Sequence, residues 1–140
     1  MKENTDITVV LSGEGPDEVF SGYLYNHNAP NPEELHKDSI QRVKNLYLYD
    51  VLRCDRSTAA HSLEVRVPLL CKNIVSYAMS IDPRFRDPKF NNGIEKWLLR
   101  EAARGMIPEE IRTRPKEAFS DGVGYSWVNG IKAHAEKHIT

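Results

Sequence analysis

Two cysteines, Cys54 and Cys71, are all the thiol in the 140 residues. They are too few for a disulfide framework and lack the spacing of a metal knuckle, so two reduced, buried thiols are expected. No apolar run approaches the length that spans a bilayer, and the polar start, Met1-Lys2-Glu3-Asn4-Thr5-Asp6, has no signal-peptide character. Neither sign of charge dominates. With 19 basic and 20 acidic side chains the formal net charge is −1, which excludes a general pull toward nucleic acid or an anionic membrane surface. Internal repeats and low-complexity tracts are also missing. The default is a cytosolic protein of about one domain's length with a modest core, and with no nucleic-acid or membrane partner.

What the chain does contain is an acidic glycine turn. The run Ile7 to Leu11 is aliphatic and β-branched, and reads as a short buried strand. Ser12, Gly13 and Gly15 follow, small enough for a tight turn and a close ligand approach. Pro16 suits the first position of a helix, where its missing N–H is no loss. Strand, glycine loop and helix start together gather backbone N–H groups around an anion. Yet Glu14, Asp17 and Glu18 lie within five positions, and bare carboxylates repel phosphate. If this loop handles a nucleotide, Mg²⁺ shared between carboxylate and phosphate oxygens resolves the conflict. Alternatively, Asp17 and Glu18 only complement the helix dipole. Spacing leaves both open.

Further on, Asp17 to Tyr25 reads as a short helix broken by Asn26-His27-Asn28-Ala29-Pro30. Asn31 is placed as N-cap of the next helix, with Pro32 at its first position and Glu34 completing a capping box. That helix carries Ile40, Val43, Tyr47 and Cys54 on one apolar stripe, with Asp50 on the same stripe and Arg53 one turn along. Spacing favours a structural ion pair for Asp50 and Arg53; the other reading sets them in a pocket wall. Glu64 to Leu70 alternates charged and apolar residues before a proline, as an extended segment does, with Glu64 and Arg66 on one side as an internal structural salt bridge. Ile74, Tyr77, Ala78 and Ile81 mark another helix, ended by Asp82-Pro83. Pro83 to Asn91 is a charged loop. Asn92 to Glu95 has a second capping-box pattern ahead of Ile94, Trp97, Leu98 and Ala102, and Pro108 to Ile111 begins one more turn. Arg112 to Lys116 is a basic segment, either a solvated loop or a mobile one that closes over a polyanion. Tyr125 to His138 closes the chain as a helix; its His134 and His138 form a poor metal site without a third ligand.

Several ordered blocks resemble one family. Ser12-Gly13-Glu14-Gly15, Asp17-Glu18 and Gly22-Tyr23 are similar to the SGEGSDE…GGY segment of glutamine-hydrolysing asparagine synthetases. The resemblance continues through Tyr49 to Arg53, Glu64 to Pro68, Asn92 to Lys96, and Arg114 to Gly122. It implies an α/β parent fold of the adenine-nucleotide α-hydrolase-like kind with a parallel sheet, of which these residues supply a mostly helical portion with one short buried strand near the N-terminus. It also implies asparagine synthesis from aspartate, ATP and glutamine-derived ammonia through a β-aspartyl-AMP intermediate, with Mg²⁺. By the same resemblance, Ser12 and Gly13 meet the AMP part of ATP, Glu14 serves formation of the adenylate, and Asp17 lies near Mg²⁺-pyrophosphate. Asp50 and Arg53 line the synthetase site. Lys116 steadies the charge developing at phosphorus.

In the family a glutaminase domain with a Cys after the initiator Met releases ammonia, and a Ser-Gly-Gly-x-Asp-Ser loop holds pyrophosphate. Lys2 stands in place of the one, and the other pattern does not occur. The expectation is therefore the C-terminal portion of a synthetase domain, inactive by itself, from a cytosolic enzyme for which a homodimer is the candidate assembly. The alternatives are a non-catalytic interaction module derived from the same fold and, less closely matched, a β-lactam-forming synthetase. Pro16, Ser21, Ser62, Leu69 and Cys71 depart from the family pattern; Ser21 and Ser62 stand where glycine is usual.

Overall fold

The computed structural model describes residues 4–117 and 126–138. Two short strands, β1 (Val9–Leu11) and β2 (Glu64–Arg66), pair in parallel, with Val10 opposite Val65. Helices α1 (Pro16–Val19), α2 (Pro32–Asn45) and α3 (Asp50–Ala59) lie between them in sequence. After β2 come α4 (Lys72–Ser80), α5 (Trp97–Ala102), α6 (Glu109–Arg112) and α7 (Trp127–His138). The chain is thus helix-rich with a small parallel sheet, an α/β arrangement. The expected strand is present, but it is neither solitary nor buried. One edge is taken by β2, and Leu11 is 73% exposed.

The core is small. Val19, Phe20 and Ala78 are buried at its centre, with Val43, Leu70, Val75, Met79, Leu98 and Leu99 packed against them. Fully buried side chains of the size of Val19 and Phe20 contribute roughly 1.5–3 kcal/mol each by leaving water. Val19 and Phe20 anchor α1 against α2 and α4, and so fix the glycine turn that precedes α1.

Helix α2 has the N-cap its sequence predicts, while the Glu34 carboxylate takes Lys37 at 2.6 Å rather than closing the expected capping box. The Asn31 side chain accepts from the Glu34 backbone N–H at 2.8 Å, and Pro32 occupies the first turn. The stripe expected to run on to Cys54 does not hold. α2 ends at Asn45, a 3₁₀ turn follows over Leu46–Leu48, and Tyr49, at φ −126° and ψ −107°, interrupts the run before α3; Tyr47 is 64% exposed. The helix expected over Asp17 to Tyr25 ends at Val19, and a 3₁₀ segment, Leu24–Asn28, follows. α5 starts at Trp97 rather than after Asn92, because Asn92, Gly93 and Lys96 all take left-handed backbone angles. Trp97 packs, stacking on Phe85 at 6.4 Å. The Glu64–Arg66 pair forms at 2.7 Å, though on the surface. Cys71 is exposed and Cys54 half-buried, so the expectation of two buried thiols fails. No described helix is long and apolar enough to cross a membrane.

Candidate active site

The turn after β1 is held at both ends. Ser12 N–H donates to Arg66 O at 2.9 Å, extending the sheet by one bond, and Val19 N–H closes the first turn of α1 on Gly15 O at 3.0 Å. Gly15 has φ 98°, and a Cβ there would lie 2.2 Å from Leu70, so glycine is required twice over. A cleft of about 710 Å³ opens beside this turn, within the range of small-molecule sites. Ser12, Gly13, Glu14 and Asp17 line it from the turn and α1, Asp50 and Arg53 from α3, and Lys116 from the segment after α6. All seven residues singled out in the sequence therefore share one cavity, although more than a hundred positions separate the first from the last.

Two charge clusters meet there. Arg53 pairs with Asp50 at 3.0 Å, one helical turn away, and with Glu14 at 3.4 Å across the cleft. Arg53 thus makes a local ion pair and also lines the cleft. On the other side Asp17 receives two ammonium groups, Lys96 on Oδ1 at 2.8 Å and Lys116 on Oδ2 at 2.7 Å. Burial pushes the Asp17 carboxyl up, but the hydrogen bonds from Lys116 and Lys96 and their charges outweigh it, leaving the group below its ordinary value. Asp17 stays ionised. Gly22 makes room for it, since a Cβ on Gly22 would lie 1.9 Å from Asp17 Oδ1.

Four further residues shape the site, none of them among the seven. Lys96 closes the Asn92 to Lys96 block, but nothing in its spacing announces that its side chain crosses to Asp17. Glu18 was offered a helix-dipole role, yet it is buried and accepts a short hydrogen bond from the Tyr23 hydroxyl. Burial raises the Glu18 carboxyl, and burial together with Glu18 raises the Tyr23 hydroxyl well above its ordinary value. Tyr23 therefore remains a donor, and Lys116 Nζ sits 5.8 Å from its ring centroid. Stacked on Tyr23 at 5.0 Å is Tyr25, whose hydroxyl burial pushes up to about 12.

Within the basic segment the roles divide. Arg112 is buried and held by Glu101 at 2.7 Å and by Glu109, so it is structural. Arg114 and Lys116 line the cleft. The part of the Arg114 to Gly122 block beyond Glu117 lies outside the described residues. The rings of His134 and His138 are 4.3 Å apart on α7. Among the described residues no group of three or more histidine, cysteine or carboxylate side chains is placed to hold a metal.

The family described as asparagine synthase matches residues 1–35 and 27–140 of the chain. An asparagine synthetase [glutamine-hydrolyzing] of Triphysaria versicolor is 52% identical over 139 residues, which cover 96% of this chain and 24% of the relative. The nodule enzyme of Pisum sativum is 50% identical over 143 residues, covering 99% and 24% respectively. A second synthetase of Oryza sativa subsp. japonica is 50% identical over 139 residues, with 96% and 24% covered. The chain thus spans about a quarter of the length of these relatives. It belongs to the asparagine synthase family.

Proposed function

We propose that this chain supplies the part of a glutamine-hydrolysing asparagine synthetase that binds ATP and activates aspartate. The observation that carries the reading is the convergence of Ser12 to Asp17, Asp50 to Arg53 and Lys116 on one cleft, in a chain about 50% identical to such synthetases over nearly its whole length. In this reading the β-carboxylate of aspartate attacks the α-phosphorus of ATP and pyrophosphate leaves. Ammonia from a glutaminase domain then attacks the β-aspartyl-AMP carbonyl and AMP departs. The parent fold would be the adenine-nucleotide α-hydrolase-like parallel sheet, with β1 and β2 two of its strands, in a cytosolic homodimer.

Each residue has a physical task. The Ser12–Gly13 backbone takes the AMP portion, where the missing side chain of Gly13 allows close approach. Arg53, already shared between Glu14 and Asp50, orients Glu14 toward the aspartyl group. Lys116 stabilises charge developing on the phosphoryl oxygens, an interaction stronger in the transition state than with bound ATP. Asp17 is the carboxylate that would hold Mg²⁺, which when bound would neutralise phosphate charge. A single carboxylate suits an ion that takes most of its ligands from phosphate and water. Both Asp17 oxygens face ammonium groups here, so metal and lysines would share it.

A chimera tests the reading: this chain replaces the matching quarter of the Triphysaria versicolor enzyme, and asparagine and AMP are measured with aspartate, Mg²⁺-ATP and ammonia. Formation of both is expected. A folded chimera that forms neither would refute the proposal and favour a non-catalytic module.

A further inference from the structure

A second cleft, of about 580 Å³, adjoins the first and shares Leu24, Arg114 and Lys116 with it. Its charge balance is different. Arg100, Arg104, Arg112, Arg114 and Lys116 line it, against only Glu95 and Glu101. Both carboxylates are engaged already, Glu101 by Arg104 and Arg112, and Glu95 by His27 at 3.1 Å. Among the described residues Arg100 donates only to backbone carbonyls, those of Glu95 and Arg112. Arg114 has no hydrogen-bond or ion-pair partner among the described residues. Two guanidinium groups therefore face one concavity without a carboxylate.

In the first cleft Lys116 meets Asp17, and Arg53 is shared by Glu14 and Asp50, which leaves Arg114, common to both clefts, as the cation without a carboxylate among the described residues. The tie from Arg100 to the Arg112 carbonyl accounts for one arginine as scaffolding. It does not account for Arg114, and Arg104 meets a carboxylate, Glu101, that Arg112 already shares. Forked guanidinium donors match phosphate oxygens in pairs, and a recess lined by one sign of charge concentrates its field.

We propose that this second cleft is a binding site for an oligophosphate anion, either free pyrophosphate or the phosphate tail of a nucleotide. The binding proposal stands on the geometry of the second cleft alone. If the functional reading above also holds, Lys116, common to both clefts, gives pyrophosphate released in the first a basic recess to enter.

Titration calorimetry of the chain tests this, with sodium pyrophosphate, AMP and ATP as separate arms and sodium sulfate at equal ionic strength as control. Pyrophosphate is expected to bind more tightly than sulfate, and Arg104→Gln with Arg114→Gln to weaken it at least tenfold. Arg104→Gln alone guards against a misfolded double variant. That side chain is 63% exposed, its only ion pair among the described residues is with Glu101, and it lines the second cleft but not the first. A severalfold loss is expected from it at an unchanged thermal midpoint. Competition by ATP would identify the ligand as a nucleotide tail, and its absence as free pyrophosphate; either supports the site. Pyrophosphate binding no tighter than sulfate, or an affinity that Arg104→Gln does not move, overturns it. Pyrophosphate binding by the chain beside an inactive chimera would sink the functional reading alone.

Discussion

Ser21 is held where a side chain is unwelcome. Its φ is 56°, it is fully buried, and its hydroxyl has no partner among the described residues. A non-glycine residue in the left-handed region costs roughly 1–2 kcal/mol, and a buried unpaired hydroxyl adds to that. Ser62 has φ 57° at an exposed position and carries only the backbone part. At both places the family resemblance sets glycine, and the backbone angles give the reason. Ser21→Gly is therefore expected to stabilise the chain by about 1–2 kcal/mol, read as a higher urea midpoint. A midpoint that stays or falls would show that this strain is not real. Gly15 and Gly22 make the complementary case, because Leu70 and Asp17 occupy the space a Cβ would need.

Among the elements, the join between α2 and the 3₁₀ turn Pro83–Phe85 carries a pH dependence. Arg86, 1% exposed, follows that turn and reaches three groups: Val19 O at 3.4 Å, Met79 Sδ, and Nδ1 of His36 on α2. His36 must be neutral to accept that bond. Burial and the Arg86 charge lower its pKa from the ordinary 6.5. Other charges nearby are paired off, Lys37 with Glu34, Asp38 with Arg42, and Asp82 with Arg84. A histidine lowered on folding contributes stability that is complete above its unfolded pKa and is lost as pH falls through the folded one. The thermal midpoint should fall as pH drops below 6.5, and His36→Gln should flatten that slope. Identical slopes in the two proteins would contradict the assignment.

The same elements show what sequence can disclose. The α2 start was legible because Asn31 and Glu34 are neighbours whose chemistry is local. The break at Tyr49 was not, since the apolar period runs through it and only tertiary packing turns the chain there. Pro83 to Asn91 reads as a charged loop, yet it buries Arg86, Asp87 and Asn91, and no pattern of period announces a partner fifty residues away. Parallel pairing of Val10 with Val65 is equally silent.

At the scale of the molecule, four segments assemble one cleft: the turn after β1 with α1, Tyr23 to Tyr25, the first turn of α3, and the segment around Lys116. The motif residues were legible through the family's blocks. Their partners were not, because the grip of Lys96 on Asp17 spans 79 positions and depends on the left-handed turn ahead of α5. The central claim is that Lys116 acts chiefly on the transition state. The measurement that tests it most directly is the effect of Lys116→Ala on kcat and on the KM for ATP in the active chimera. Turnover should fall about 10²–10³-fold while the KM for ATP changes by only about threefold. Equal losses in both, or an unchanged kcat, would contradict it.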